Sequence, residues 1–181
     1  WSESYTRNLR DILSLQNEIA RTVVGQIQVS LSPEEESRLA TTETVNPDAY
    51  RYFLIGNHHL NNYSQQKALS SYQQAIEIDE NYADAHAAIA VVYTMMGSWW
   101  GTSPPKEVIP LAEAAISRAL EIDPNTAEAY IALGSIKFLY EWDWESADAA
   151  FRRGLELNPS SSFYKTWYST FLMCIGRHEE S

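Results

Sequence analysis

Few residues in this chain have the types and spacing that chemistry requires. The adjacent His58 and His59 would point about 100° apart on a helix, so they cannot chelate one metal ion together. Cys174 and His178 have the four-residue spacing of a zinc-binding or thiolate–imidazole pair, but Gly176 lies between them and should end their helix. We therefore expect no catalytic residue, no metal site and no cofactor.

The remaining acidic and glycine-containing stretches also favour structural roles. Glu34 to Glu36 follow the helix-start signal at Ser32 and Pro33, and carboxylates in a first turn interact favourably with the positive end of the helix dipole. Capping is a better explanation there than calcium binding. The sequence has no glycine-rich phosphate loop, nucleophile elbow or HExxH motif.

The charge and hydropathy of the chain exclude some classes of binding partner. The 181 residues carry 24 acidic and 13 basic side chains, a net charge of -11, which repels nucleic acid and anionic lipid. No apolar run approaches the roughly 20 residues that span a bilayer, so we expect no membrane insertion by this segment. The compartment stays open, with a cytoplasmic location favoured and a periplasmic one possible for a membrane-bound parent protein.

The elements that would position any site come from an internal repeat. Three segments end alike, at 75–79, 119–124 and 154–159, and each is preceded by a small residue and then a bulky one at helical spacing. In each of the three units, a second pattern of large and small residues precedes this segment in the sequence. Each unit is therefore predicted to be a pair of packed helices.

This pattern resembles the tetratricopeptide (TPR) repeat, a helix hairpin of about 34 residues. The resemblance implies an all-α, right-handed superhelix with three full repeats, 49–82, 83–126 and 127–161, and a half repeat, 162–181. The second unit has a longer connection and the third has one extra residue. The residues that match the repeat's packing positions are Gly56, Ala68, Tyr72, Ala75, Ala90, Ala112, Ala119, Gly134, Ala147 and Phe151.

Residues 1–45 do not fit the repeat and are predicted to form a junction with one amphipathic helix. Apolar residues from Ile12 to Ile27 recur at steps of three and four, which gives a single apolar stripe. The stretch from Trp1 to Ala20 resembles the start of the TPR section in bacterial multidomain signalling proteins, including TPR-bearing adenylate cyclases and winged-helix regulators with a TolB-like domain. Because the chain begins at Trp1 and ends just after Gly176, we expect it to be part of a longer protein.

The helix boundaries carry their own signals. Asn46-Pro47, Ser103-Pro104 and Asp143 are predicted helix starts, and Gly97 and Gly176 are predicted stops. Pro110 predicts either a kink in its helix or a later helix start, with the kink favoured.

Four tryptophans lie outside the repeat pattern. Trp99 and Trp100 fall in the long connection of the second unit, where they either pack on the array or contact a partner. Trp142 and Trp144 flank Asp143, and a hydrophobic staple around that cap is the simpler explanation for them.

In the TPR family the partner binds on the concave face, which the first helix of each repeat lines. The resemblance assigns to that face the residues Phe53, Asn57, Leu60, Val91, Met95, Ile131, Ser135, Phe138, Leu139, Phe163 and Thr170. The face is apolar with few charges and suits an amphipathic helix or an extended apolar peptide. Repeats that grip acidic chaperone tails use basic residues, and this chain has Phe53 and Glu128 at two of those positions, so we predict no such clamp.

These features predict a non-catalytic scaffold that binds a protein or peptide within a larger bacterial signalling protein. An intramolecular spacer or regulatory segment of an adenylate cyclase or transcriptional regulator, with no partner in trans, is the alternative. The exposed C-terminal half repeat also makes a homodimer possible, and the groove could be filled by the chain's own helices.

Overall fold

The computed structural model describes residues 45–98 and 101–180, and within these ranges the chain is all-α, as predicted. The helices are α1 (Pro47–Asn61), α2 (Gln65–Ile78), α3 (Ala83–Gly97), α4 (Pro105–Ile122), α5 (Ala127–Ile136), α6 (Trp144–Leu157) and α7 (Ser162–Cys174). A π-helical segment, Lys137–Glu141, extends α5, and a 3₁₀ turn, His178–Glu180, follows α7. The predicted amphipathic helix and the pair Trp99 and Trp100 lie outside the described residues.

The helices pack as successive hairpins that form a solenoid. Helix α1 packs on α2, α3 on α4, and α5 on α6, while α3 also contacts α5 and α6 contacts α7. The buried core follows this order in three clusters, which lie between α1 and α3, between α2 and α5, and between α5 and α7. Each hairpin thus buries its apolar surface against its neighbours, as stacked repeats do.

Small residues allow the two helices of a hairpin to approach closely. A Cβ atom added to Gly56 would lie 2.4 Å from Tyr72 Cε1, and one added to Gly134 would lie 2.9 Å from Phe151 Cδ1. All ten residues predicted from the packing pattern are buried. In these two hairpins the aromatic ring of the second helix therefore occupies the space that the glycine leaves.

Most of the predicted helix boundaries are correct. The side chain of Asn46 accepts a hydrogen bond from the Asp48 amide at 2.9 Å, and Asp143 accepts one from the Ser146 amide at 3.1 Å. Helix α3 ends at Gly97, and Gly176, two residues beyond α7, has φ 81°.

Two expectations at helix boundaries need correction. Helix α4 begins at Pro105 without a side-chain cap and runs through Pro110, so the cap at Ser103 and the late helix start are both wrong. The staple at the α6 cap is also wrong for Trp142, whose side chain is 73% exposed.

The extra residue of the third unit is absorbed between α5 and α6. Helix α5 widens into a π-helical turn at Lys137–Glu141. This turn ends at Trp142, whose φ is 57°. A π turn holds one more residue than an α turn of the same axial length. The inserted residue therefore leaves the packing of α5 against α6 intact.

Candidate functional site

A concavity among the described residues lies where α3, α5 and α7, the first helices of three successive repeats, meet. It is a shallow, open cavity lined by residues of α3, α5 and α7: Val91, Thr94, Met95, Ile131, Ala132, Ser135, Phe163 and Trp167. Because three successive repeats contribute to it, the cavity depends on the stacking of the array and is not a property of one repeat.

The two hydroxyl groups in the lining do not face a ligand as free donors. Thr94 Oγ1 donates to the Ala90 carbonyl at 2.9 Å, and Ser135 Oγ donates to the Ile131 carbonyl at 2.8 Å. Both residues are almost fully buried. The cavity thus presents hydrocarbon and aromatic surface, which favours contact with an apolar group.

Five residues of the sequence-predicted groove meet in this cavity, but they differ in exposure. Phe163 is 39% exposed and Met95 is partly exposed, whereas Val91, Ile131 and Ser135 are buried. Ile131 is only 1% exposed because its side chain fills the space beside Gly154 of α6. The accessible apolar surface is therefore supplied mainly by Met95, Phe163 and Trp167.

The groove residues of α1 lie in a separate contact. The Phe53 ring centroid is 5.7 Å from that of Tyr72 and 5.1 Å from that of Tyr82, and Asn57 Oδ1 accepts a hydrogen bond from the Tyr72 hydroxyl at 2.7 Å. Leu60 packs partly buried against the core cluster between α2 and α5. Phe53 and Asn57 therefore hold α1 against α2 through Tyr72, and Phe53 also contacts the start of α3 at Tyr82.

The other predicted groove residues lie at the far end of α5 and α7. The Phe138 ring packs edge-on against Phe171, with centroids 5.3 Å apart, and Leu139 is partly buried in the π-helical segment. Thr170 Oγ1 donates to the Thr166 carbonyl at 2.8 Å. These residues are outside the lining of the cavity.

A carboxylate outside the lining, Glu128, lies one helical turn before Ile131 and Ala132 on α5. Burial and the negative charge of Asp84 raise the pKa of Glu128 to about 7, and a hydrogen bond from the Tyr164 hydroxyl partly offsets them. In turn, burial and the charge of Glu128 raise the pKa of Tyr164. The carboxylate is therefore costly to ionise at neutral pH.

The candidate metal and catalytic residues do not converge. Within residues 45–98 and 101–180 no group of three or more His, Cys, Asp or Glu side chains is arranged to hold a metal ion. Cys174 is exposed at the end of α7, and His178 lies in the 3₁₀ turn beyond Gly176. None of the helices in this part of the chain is long and apolar enough to cross a membrane.

Sequence reasoning missed Trp167 and Ala132 as cavity residues. Each stands at the sixth position of its repeat, next to a position that the resemblance places on the concave face. The stacking of α5 against α7 brings both of them to the cavity edge. A tryptophan one turn after Phe163 was the signal that could have indicated this.

Comparison with known proteins identifies the repeat. Residues 64–97 match the family model described as a TPR repeat. The match covers α2 and α3, which are the second helix of one hairpin and the first helix of the next. The repeat expected from the sequence is thus confirmed.

Solved structures share the fold. A thermophilic TPR protein of Thermus thermophilus superposes with a TM-score of 0.63 at 14% identity, over 96% of this chain and 86% of that one. The TPR2B domain of yeast Sti1, solved as a complex with pHsp70, gives a TM-score of 0.52 at 22% identity, over 71% of this chain and 99% of that one. The first TPR of Spaghetti (RPAP3), bound to the HSP90 peptide SRMEEVD, gives a TM-score of 0.53 at 17% identity, over 71% of this chain and 95% of that one.

A relative in Rhizobium meliloti (strain 1021) bears the name "Putative adenylate cyclase 3". It is 31% identical over 123 residues, which are 64% of this chain and 21% of the relative. The chain thus spans about a fifth of the length of this curated relative.

Proposed function

We propose that this tetratricopeptide array is a non-catalytic module that binds a peptide or helix of another protein through its apolar cavity, as part of a larger bacterial signalling protein. The observation that carries the proposal is the cavity shared by α3, α5 and α7, whose lining is apolar and partly exposed. Exposed aromatic side chains beside a cavity, such as Phe163, are typical of residues that dominate a binding interface.

The similar structures support a role in peptide binding while differing in the expected ligand. Two of them are complexes, one with pHsp70 and one with the HSP90 peptide SRMEEVD. In this chain Phe53 and Glu128 occupy positions where the resemblance implies basic residues for an acidic chaperone tail. We therefore propose an apolar ligand in place of an acidic tail.

A second candidate is a spacer or regulatory segment that acts within its own polypeptide. The relative's name as an adenylate cyclase and the small share of it that this chain spans favour this alternative. In that case the cavity would be covered by another part of the same protein or by a second copy packed against α7.

Selection from a phage-displayed library of random 12-residue peptides tests binding in trans. We expect the selection on the immobilised 181-residue chain to yield peptides that bind the Phe163→Ser variant at least about tenfold more weakly than the unsubstituted chain. The reason is that truncating an aromatic interface residue commonly costs more than 1 kcal/mol of binding free energy. Leu111→Ser is the matched control, since Leu111 is 49% exposed on the outer helix α4. Ile131 is unsuitable for substitution because it is 1% exposed. Selection of peptides that bind both variants equally, or of none, would contradict the proposal.

A further inference from the structure

One face of α1 is exposed, although the same face of α3, α5 and α7 is covered. This surface, which we call the α1 face, consists of Arg51, Leu54, Ile55 and His58, which follow one another at helical spacing. Leu54 is 44% exposed and Ile55 is 38% exposed. Arg51 and His58 are exposed as well. Two large apolar side chains therefore stand in solvent in the middle of this face.

The same repeat positions are protected from solvent in the later repeats. The equivalent residues are Ala85, Ala88, Ile89 and Val92 in α3, Ala129, Ala132, Leu133 and Ile136 in α5, and Tyr164, Trp167, Tyr168 and Phe171 in α7. All of them are buried or partly buried. Their cover is the preceding hairpin, because α3 packs on α2, α5 packs on α3 and α4, and α7 packs on α5 and α6. No hairpin that the structure describes precedes α1.

The described chain enters α1 at a fixed place. The Asn46 amide donates a hydrogen bond to Asp79 Oδ2 at 3.3 Å, and Val45 packs against the core cluster between α1 and α3. Residues 1–44 therefore join the array at the N-terminal end of α1. Fully extended, residues 28–44 would span up to about 55 Å, whereas α1 is about 22 Å long. A segment that ends at residue 27 can thus reach every part of the α1 face.

The sequence ahead of residue 28 carries an apolar stripe of its own. Apolar residues recur there at steps of three and four, at Ile12, Leu15, Ile19, Val23 and Ile27. A stripe of this kind is stabilised only when another apolar surface covers it. Because the segment is tethered to α1, its effective concentration at the α1 face is on the order of millimolar. The tether favours this segment over a second copy of the chain or a separate protein.

We propose that the stripe from Ile12 to Ile27 packs as a helix on the α1 face and covers Leu54 and Ile55, as each described hairpin covers the first helix of the next repeat. The N-terminal segment then closes this end of the array. The α1 face is separate from the cavity between α3, α5 and α7, so the inference does not depend on the proposed function.

Cysteine cross-linking of the full chain tests this contact. The Cys174→Ser variant lacks cysteine and serves as the background. In it, Ile19→Cys is combined with Leu54→Cys, and the chain is treated with a short bismaleimide. We expect this pair to cross-link within one chain at least about fivefold faster than two control pairs, because docking raises the local concentration of one thiol at the other.

The two control pairs match the test pair in tether and in exposure. Arg21→Cys with Leu54→Cys uses the same tether, but residue 21 would lie on the side of the helix opposite to residue 19. Ile19→Cys with Leu111→Cys uses a target that is 49% exposed on the outer helix α4. Both pairs should cross-link slowly.

Backbone hydrogen exchange provides a second readout without introduced cysteines. The double substitution Leu15→Ser and Ile19→Ser should speed exchange of the amides at 51–58 at least about tenfold, because α1 loses its cover and opens more often. The amides of α7 should exchange at an unchanged rate. Arg21→Ser is the matched control and should leave α1 unaffected.

The outcomes separate the possible occupants of the α1 face. Faster cross-linking of the Ile19 and Leu54 pair within one chain, together with faster α1 exchange in the double variant, supports the inference. Cross-linking of this pair only between two chains, seen as a covalent dimer, overturns it in favour of a second copy. Equal cross-linking rates in the three pairs, or α1 exchange that the double substitution leaves unchanged, also overturn it.

Discussion

Replacement of Glu128 by glutamine should remove a pH dependence of stability between pH 5 and pH 8. The pKa of this carboxyl is about 7 in the folded chain, against 4.5 as the ordinary value. Over this window the folded state therefore holds a proton that the unfolded state has released. Stability from this group is highest at low pH and is lost as the pH rises through 7.

The size of the effect follows from the two pKa values. A shift of this size corresponds to about 3 kcal/mol in full, and most of it falls between pH 5 and pH 8. The free energy of unfolding of the unsubstituted chain should drop by this amount across the window. Glu128→Gln should show no such drop, because glutamine does not ionise.

Urea unfolding followed by circular dichroism at pH 5 and pH 8 measures this difference. With an m value of about 1–3 kcal/mol/M, the midpoint should move by about 1–3 M in the unsubstituted chain. The control Glu77→Gln, which removes one negative charge from an exposed position on α2, should show the same movement. The same pH dependence in Glu128→Gln and in the unsubstituted chain would refute the assignment of a strongly raised pKa to Glu128. So would a midpoint that rises with pH.

Three further changes test the packing and the caps. Gly56→Ala should lower the free energy of unfolding by about 1–3 kcal/mol, because the new Cβ would clash with the Tyr72 ring. This cost should exceed the gain from the better helix propensity of alanine, and a variant that is more stable in thermal unfolding would contradict the prediction. Asp143→Ala should cost about 1 kcal/mol in urea unfolding through loss of the hydrogen bond to the Ser146 amide, and an unchanged midpoint would count against the cap. Burial acts to raise the pKa of Asp148, but hydrogen bonds from Arg152 and the Tyr168 hydroxyl hold this pKa below its ordinary value. The stability that Asp148 contributes is therefore lost as the pH falls below about 4. Asp148→Asn should flatten that acid limb in a pH titration of the midpoint, and an unaltered acid limb would exclude this role.

The fold could be predicted from the sequence because its determinants are local and repeated. Each hairpin needs a small residue opposite a bulky one, and pairs such as Gly56 with Tyr72 and Gly134 with Phe151 show that need as a spacing in the chain. Caps such as Asp143 act within three residues of themselves. Patterns of this kind require no knowledge of distant contacts.

The cavity was harder to predict because it depends on contacts between repeats. A repeat position alone could not show that Ile131 would turn into the space beside Gly154, which depends on the packing of α5 against α6. Nor could it show that Trp167 would reach the cavity edge. The raised pKa of Glu128 likewise arises from residues on two other helices, Asp84 and Tyr164.

The most direct test of the account is to map a selected peptide onto the chain by backbone amide NMR. We predict that the amides that shift on titration cluster at 91–95 of α3, 128–135 of α5 and 163–167 of α7, around the shared cavity. Shifts confined to the outer helices α2, α4 and α6 would contradict the claim that the concave cavity is the binding site.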